Sequence, residues 1–144
     1  MTATVFVING PNLNLLGTRQ PEVYGRDTLD DIARQLSERA GELGLELDIR
    51  QSNHEGHLID WLHEAAASGA KSVILNAGGY THTSVALRDA VAAIAVPVIE
   101  VHLSNPAARE PFRHISLIAP VASGSIAGFG ARSYMLALDA AARL

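Results

Sequence analysis

The sequence predicts an α/β protein built around a parallel β-sheet, and three observations support this class. Short β-branched runs, which are typical of strands, alternate with longer helical patterns of apolar residues. These runs are apolar along most of their length, as expected of strands that are covered on both faces. With 144 residues, of which 48% are apolar, the chain is long enough for one domain with a buried core, so residues 1–144 are expected to form a single domain.

The strands and helices follow from these patterns in chain order. Strands are predicted over residues 4–8, 45–50, 72–75, 96–101 and 115–118. The first helix begins after Asp27 and Thr28, has apolar residues at helical spacing from Leu29 to Leu43, and ends at Gly44. Further helices are predicted over about residues 58–67, 84–95 and 130–144. This order predicts a flavodoxin-like, doubly wound sheet of five parallel strands with helices on both faces.

Composition excludes several classes of partner and site. The net charge is −4 and no basic cluster is present, which argues against nucleic acid or an anionic membrane as partner. Because the chain has no cysteine, it has no disulfide framework and no thiolate ligand or nucleophile, and it suits a reducing compartment such as the cytoplasm. The first apolar run is short and lacks a basic flank, so no signal peptide is expected. Charged residues make up only 18% of the chain, which favours contacts between subunits.

The connection after the first predicted strand is unusually long. It runs from Asn9 past Asn12, Arg19 and Tyr24 before the next helix begins, whereas a βα loop normally takes about 2 to 6 residues. A long loop that carries Arg and Tyr among Gly and Pro can serve as a lid over a site. It can equally be a decorated surface loop whose tyrosine only packs.

The third and fourth strands also end in polar residues. Asn76 and His82 follow the third strand, and between them lie two glycines that allow a close backbone approach. Glu100 and His102 end the fourth strand and lie on the same face, because side chains alternate along a strand. A carboxylate can orient an imidazole for acid–base chemistry, and such a pair is a poor way to build a core. In parallel sheets these strand ends are where ligands bind.

Two further interpretations of these residues remain open. His82, Glu100 and His102 could together hold zinc, although their neighbours are amides such as Asn12 and Asn76 rather than further ligands. A site without metal is therefore favoured. Arg113 can bind a hydroxyl or carboxylate oxygen, and Asp89 follows His82 by about two helical turns. For both of these the default interpretation is an exposed charge.

A series of motifs in this chain resembles those of the type II 3-dehydroquinate dehydratases, and the resemblance covers nearly the whole chain. The motifs are residues 9–17 with Arg19, Pro21, Tyr24 and Gly25; residues 51–56; residues 76–78 and 80–84; residues 100–106; and residues 126–130. Three positions depart from the family pattern, namely Gln20, where glutamate is common, Gly79, where alanine is common, and Pro111. None of them removes a chemical role.

The resemblance implies a lyase that converts 3-dehydroquinate to 3-dehydroshikimate by anti elimination of water through an enolate, in the shikimate pathway of aromatic amino acid biosynthesis. Tyr24 corresponds to the base that removes the C2 proton, and Arg19 corresponds to a lid cation that favours the ionised tyrosine. A free phenol is largely protonated at neutral pH, so a nearby guanidinium makes it a usable base. Asn12 would help to hold a water that stabilises the enolate.

The resemblance assigns the other candidate residues as well. His102 corresponds to the acid that protonates the departing C1 hydroxyl, and Glu100 to the group that aligns its ring. The remaining positions correspond to residues that bind substrate: Asn76, His82, Asp89 and Arg113 through their side chains, and Leu103 and Ser104 through backbone amides that receive the carboxylate.

Cofactors and partners are also implied by the resemblance. It implies neither metal nor organic cofactor, no lysine Schiff base, and a cytoplasmic homododecamer built from trimers, in which Asp89 reaches the site of a neighbouring subunit. The alternative is a non-enzymatic flavodoxin-like module that binds a cofactor or acts as a receiver. A receiver needs an acidic cluster at the strand ends, where this chain has Asn9 and Asn76, and residues 12–15 do not form a flavin phosphate loop.

Overall fold

Five parallel strands form one sheet in the computed structural model, which describes residues 2–144. They are β1 (Ala3–Asn9), β2 (Leu45–Gln51), β3 (Ser72–Asn76), β4 (Val98–His102) and β5 (Gly124–Ala127). Their order across the sheet is β2-β1-β3-β4-β5, and every neighbouring pair is parallel. This is the strand order of flavodoxin-like sheets, so the predicted fold class is confirmed.

Four longer helices and one short helix accompany these strands within residues 2–144, and the last of them follows β5. They are α1 (Pro21–Tyr24), α2 (Leu29–Leu43), α3 (Glu55–Ala67), α4 (Val85–Ala93) and α5 (Arg132–Ala141). The predicted ends of α2 are confirmed. Thr28 and Asp31 exchange side-chain and backbone hydrogen bonds at its start, and Gly44 adopts a φ of 69° at its end. None of the helices in the described range is long and apolar enough to cross a membrane.

The sheet is covered on both faces, and its strands divide their side chains between two apolar cores. Val5, Val7 and Ile74 pack in the core that includes α2 and α5, whereas Phe6 and Ile8 pack in the core that includes α3 and α4. Alternate residues of one strand therefore enter different cores. Burial on both sides explains why β1 and β3 appear in the sequence as continuous apolar runs.

The fifth strand does not lie where the sequence pattern predicted it. Residues 115–118 form no strand, and β5 pairs with β4 in the position that was expected for them. In this segment the Ser116 hydroxyl accepts hydrogen bonds from the amides of Ile118 and Ala119, so a side chain satisfies groups that a strand neighbour would otherwise bind. β5 itself has only one β-branched residue, so its pattern resembled a loop. The other predicted elements agree with the structure to within a few residues.

The loops after β1 and β3 leave the sheet side by side. The chain winds outward from β1 to β2 and then crosses to β3 on the other side of β1, which makes this the switch point of the sheet. The Gly10 amide donates to the Asn76 carbonyl at 2.8 Å. A Cβ atom at Gly10 would lie 2.6 Å from the Ala77 carbonyl oxygen, so only glycine permits this approach. The switch point is where a ligand site is expected.

Candidate active site

One cavity lies beyond the carboxyl ends of β1, β3 and β4. Nine of the eleven predicted site residues line it: Asn12, Arg19, Tyr24, Asn76, His82, His102, Leu103, Ser104 and Arg113. Glu100 is buried behind His102, and Asp89 is exposed on α4. The lining residues come from three loops that are distant in sequence, so the sheet is what brings them together.

The long connection after β1 forms one wall of this cavity. It begins with a 3-10 turn, Leu13–Leu15, and ends with α1. The side chains of Leu13 and Leu16 are buried in the apolar core, which anchors the first half of the loop. Asn12 adopts a left-handed φ of 69°, and its backbone N–H donates to Asn53 Oδ1 at 3.0 Å. The loop is therefore part of the cavity wall and more than a surface decoration.

Tyr24 lies against two guanidinium groups. The Cζ atom of Arg19 is 4.5 Å from the centre of the Tyr24 ring, and that of Arg109 is 5.0 Å from it. Arg109 Nη2 also donates a hydrogen bond of 2.8 Å to the phenol oxygen. A charged donor at this distance stabilises the phenolate more than the phenol. This arrangement suits a tyrosine that accepts a proton.

Arg109 was not among the predicted site residues. Its Nη1 donates to Ser104 Oγ at 3.2 Å, and its carbonyl accepts from His114 Nε2 at 2.8 Å, so both ends of the residue are held. The available signal was its spacing of four residues from Arg113 in the loop after β4. That spacing does not show that the side chain turns back toward a tyrosine 85 positions earlier in the chain.

Glu100 and His102 form a hydrogen-bonded pair at the end of β4. His102 Nε2 lies 2.8 Å from Glu100 Oε2, as the strand alternation predicted. Glu100 is only 2% exposed, and its carboxylate also accepts from the hydroxyls of Ser116 at 2.6 Å and Ser125 at 2.8 Å. Burial alone would raise the pKa of the Glu100 carboxyl, but the hydrogen bonds from His102, Ser116 and Ser125 outweigh it and hold that pKa below its usual value.

The pair leaves one ring nitrogen of His102 free for chemistry. An ionised carboxylate only accepts hydrogen bonds, so Nε2 carries the proton that it shares with Glu100. Nδ1 is then available to a molecule in the cavity that His102 lines. Because the buried carboxylate stabilises positive charge on the ring, the arrangement suits proton donation from Nδ1.

The same reasoning identifies a ring nitrogen of His82 that carries a proton. Its Nδ1 lies 2.8 Å from the carbonyl oxygen of Ile115, which can only accept, so Nδ1 carries a proton. In the neutral ring Nε2 is then an acceptor. Residues 115–118, which were predicted as a strand, thus support the site twice: the Ile115 carbonyl orients His82, and the Ser116 hydroxyl binds Glu100.

Comparisons with known proteins identify the family. A family model described as dehydroquinase class II matches residues 3–142. The chain belongs to the class II dehydroquinase family. A 3-dehydroquinate dehydratase from Rhizobium johnstonii is 59% identical over 140 residues, which cover 97% of this chain and 96% of that relative. One from Hyphomonas neptunium is 58% identical over 144 residues, covering 100% of this chain and 96% of the relative. The crystal structure of a type II dehydroquinase from Propionibacterium acnes has a TM-score of 0.95 at 42% identity and covers 100% of this chain and 99% of that one.

The three departures of this chain from the family pattern leave the cavity intact. Gln20 is exposed and adopts a φ of 39° just before α1. Gly79 lines the cavity, and a Cβ atom there would meet nothing within 4 Å, so alanine would also fit. Pro111 begins the 3-10 turn Pro111–Arg113, a position at which its missing N–H costs nothing.

Two of the predicted substrate-binding residues have other partners in the structure. Arg113 lines the cavity, but its Nε donates to Glu110 Oε1 at 3.1 Å. Asp89 forms an ion pair of 3.0 Å with its neighbour Arg88, and 61% of its side chain is exposed. Asp89 therefore contributes nothing to the cavity of its own subunit. Its predicted role in a neighbouring subunit stays a prediction.

The zinc alternative meets a geometric obstacle. Within residues 2–144 no three His, Cys, Asp or Glu side chains lie close enough together to hold one metal ion. His82 is bonded through Nδ1 to a backbone carbonyl, and both oxygens of Glu100 accept hydrogen bonds from neighbouring side chains. Both oxygens of Glu100 and one ring nitrogen of each histidine are thus hydrogen-bonded to protein groups, which favours a hydrogen-bonding site over a zinc site.

Proposed function

We propose that this chain is a 3-dehydroquinate dehydratase of the shikimate pathway, which removes water from its substrate by anti elimination. The observation that carries the proposal is that one cavity is lined both by Tyr24, with Arg109 2.8 Å from its phenol oxygen, and by His102, paired with buried Glu100. An elimination of water needs a base that takes a proton from carbon and an acid that gives one to the departing oxygen. Membership of an enzyme family also speaks against a non-enzymatic module.

In the proposed first step the Tyr24 phenolate takes the C2 proton beside the substrate ketone. The electron pair of the broken C–H bond moves onto the ketone oxygen and forms an enolate. Arg19 and Arg109 stabilise the phenolate before the transfer, since both guanidinium groups lie against the Tyr24 ring. Asn12 helps to hold a water that donates to the enolate oxygen, where negative charge develops.

In the second step the enolate electrons return to form the C1–C2 double bond, and the C1–O bond breaks. His102 gives its Nδ1 proton to the departing hydroxyl, which leaves as water. Glu100 stabilises the imidazolium before this transfer and holds the ring in position through the 2.8 Å hydrogen bond to Nε2. Tyr24 ends protonated and His102 neutral, and exchange with solvent restores both groups.

The other lining residues bind the substrate in this proposal. Asn76, His82 and Arg113 bind its hydroxyl groups, and the backbone amides of Leu103 and Ser104 receive its carboxylate. For the last role the local geometry is favourable, because these residues directly follow the end of β4 and line the cavity. Arg113 would exchange its bond to Glu110 for one to the substrate.

An ultraviolet assay tests the proposal. Purified protein is mixed with 3-dehydroquinate, and the absorbance of the conjugated enone product is followed over time. We expect steady product formation, unchanged after exhaustive chelation, because every proton transfer above uses a side chain of the protein. Absence of product from folded protein would refute the activity. A stoichiometric metal whose removal abolishes turnover would refute this mechanism while leaving the reaction intact.

We also propose that the chain assembles into a dodecamer built from trimers, as the family resemblance implies. Seven large apolar side chains of the described residues are more than 40% exposed in the isolated chain and support contacts between subunits: Leu15, Val85, Phe112, Ile115, Phe129, Leu136 and Leu144. Light scattering coupled to size-exclusion chromatography tests the assembly. A fully active monomer would refute it, and an active trimer would refute only the twelve-subunit part. The cytoplasmic location stays a prediction.

A further inference from the structure

Three buried polar side chains form a chain of hydrogen bonds behind the cavity. Asn9 at the end of β1 and Tyr134 on α5 are fully buried, and Asn76 at the end of β3 is 3% exposed. Tyr134 Oη lies 2.6 Å from Asn9 Oδ1 and 2.9 Å from Asn76 Nδ2. Only Asn76 of the three lines the cavity. The connection therefore runs from the interior of the protein to one proposed substrate-binding side chain.

The direction of each hydrogen bond follows from the one before it. Asn9 Nδ2 donates to the backbone carbonyl of Arg50 at 3.1 Å, so the Asn9 oxygen must face Tyr134. That oxygen can only accept, so Tyr134 donates its single hydroxyl proton to it. Tyr134 Oη can then only accept from its other neighbour, and Asn76 must present its NH2 group.

Two observations reinforce this order. Burial raises the pKa of the Tyr134 phenol, so the hydroxyl proton that the chain of bonds requires is retained. On the other side of the amide, Asn76 Oδ1 accepts from the Gly78 backbone N–H at 3.2 Å. The two ends of the Asn76 amide are thereby distinguished. If the amide were flipped, its NH2 group would face the Gly78 N–H, donor against donor, and its oxygen would face Tyr134 Oη, acceptor against acceptor.

We propose that Tyr134 is a positioning residue, which orients the Asn76 amide so that its second N–H donates to a substrate oxygen. The inference rests on the proposed role of Asn76 in binding substrate. It identifies Asn76 as a donor at this point of the cavity, so the substrate atom it recognises is an acceptor. Tyr134 itself makes no contact with the cavity and acts through Asn76 alone.

A double-mutant cycle tests the proposal with Tyr134→Phe, Asn76→Ala and the combined variant. Loss of one net hydrogen bond corresponds to roughly a fivefold to tenfold effect, so we expect Tyr134→Phe to lower kcat/KM by about that factor, mainly through KM. In the Asn76→Ala background the same change should have little further effect, because there is no amide left to orient. A merely structural role would lower the folded fraction and the apparent kcat, with additive losses.

The control is Ser133→Ala on the same helix. This variant also removes a fully buried hydroxyl, one that accepts from the Phe129 amide at 3.0 Å, but it does not touch Asn76. It should lose stability without a change in KM. If Tyr134→Phe does not fold, Asn9→Leu serves instead, because it frees the Tyr134 proton to point at Asn76 and should raise KM in the same way.

The outcomes separate this inference from the function on which it rests. Unchanged kinetics of Asn76→Ala would refute the role of Asn76 in binding and this inference with it. A clear loss in Asn76→Ala, combined with either unchanged KM in Tyr134→Phe or additive losses in the double variant, would overturn the positioning role alone.

Discussion

Tyr24 is in contact with two guanidinium groups from different parts of the chain, and only Arg19 lies on the same loop. Arg109 comes from the loop after β4 and makes the direct hydrogen bond to the phenol oxygen. The charge that favours a phenolate is therefore assembled only when the β1 and β4 loops meet. Because both cations act on one group, the loss of either should affect the same proton transfer.

We expect Tyr24→Phe to lower kcat by about 10² to 10⁴-fold, since it removes the proposed base, and Arg19→Ala to have a comparable effect. Arg109→Ala should lower kcat by roughly a hundredfold or more, because it removes a charged donor from the phenol oxygen. Steady-state kinetics measure these effects, with Arg34→Ala as a control for loss of an exposed arginine that lies on α2 and pairs only with Asp31. Turnover of Tyr24→Phe close to that of the wild type would show that another group is the base.

The paired carboxylate makes stability depend on pH. The pKa of Glu100 is lowered in the folded protein from its ordinary value of 4.5, so Glu100 contributes stability that is fully present above that value. This contribution is lost as the pH falls through the lower, folded pKa. Glu100→Gln has no carboxyl to titrate, and we expect its free energy of unfolding to fall less than that of the wild type between about pH 6 and about pH 3.

Urea denaturation at a series of pH values measures this difference, and Glu38→Gln is the matched control because Glu38 is exposed on α2. The control should follow the wild type. If the free energy of unfolding of Glu100→Gln fell as steeply with pH as that of the wild type, other groups would dominate the pH dependence. Turnover of Glu100→Gln should fall less than that of His102→Ala, since packing and water can partly replace a group that only orients the ring.

At the scale of elements, the site depends on how closely the ends of β1 and β3 approach each other. Gly10 is the contact point, with its amide bonded to the Asn76 carbonyl and no room for a Cβ atom beside Ala77. The loops that carry Asn12 and Asn76 both begin there. A displacement at Gly10 would therefore reach the loops on both sides of the cavity.

Gly10→Ala should reduce the free energy of unfolding by about 1–3 kcal/mol, because the new methyl group overlaps backbone atoms that cannot rotate away. Gly41→Ala is the matched control: Gly41 lies in α2, and a Cβ atom there would meet nothing within 4 Å beyond the local backbone of its own helix. That variant should be more stable by about 0.5–1 kcal/mol, because alanine favours the helix. Thermal and urea denaturation measure both changes, and equal stability of the two variants would contradict the packing argument.

At the scale of the whole molecule, Asp89 is the predicted site residue that its own subunit leaves unused. Its carboxylate is exposed beside Arg88 and lines no part of the cavity. An exposed residue on α4 can contribute to catalysis only across a contact between subunits. Closed cyclic symmetry would then repeat the same contribution in every subunit.

Mixed assemblies test this arrangement. Asp89→Ala should lower kcat/KM by roughly 10 to 100-fold, the effect of one lost hydrogen bond to a charged group. Assemblies prepared from Asp89→Ala and Tyr24→Phe subunits should be more active than the sum of the two variants, because an intact Tyr24 can meet an intact Asp89 from a neighbour. Mixing Tyr24→Phe with His102→Ala should restore nothing, since both residues line the same cavity. Activity equal to the sum in the first mixture would refute the shared site.

The sequence by itself determined the fold class and most element positions, because these follow from local patterns, and its resemblance to the class II dehydroquinases pointed to nine residues of the cavity. Alternation put Glu100 and His102 on one face, Thr28 and Gly44 marked the ends of α2, and strand ends in a doubly wound sheet carry the ligand site. The tertiary structure alone decided what depends on long-range contacts. Residues 115–118 became a support for His82 and Glu100 because their polar groups found partners there, and Arg109 and Tyr134 acquired roles through residues 85 and 58 positions away. Such partners are set by the closure of the sheet, and no pattern along the chain encodes them.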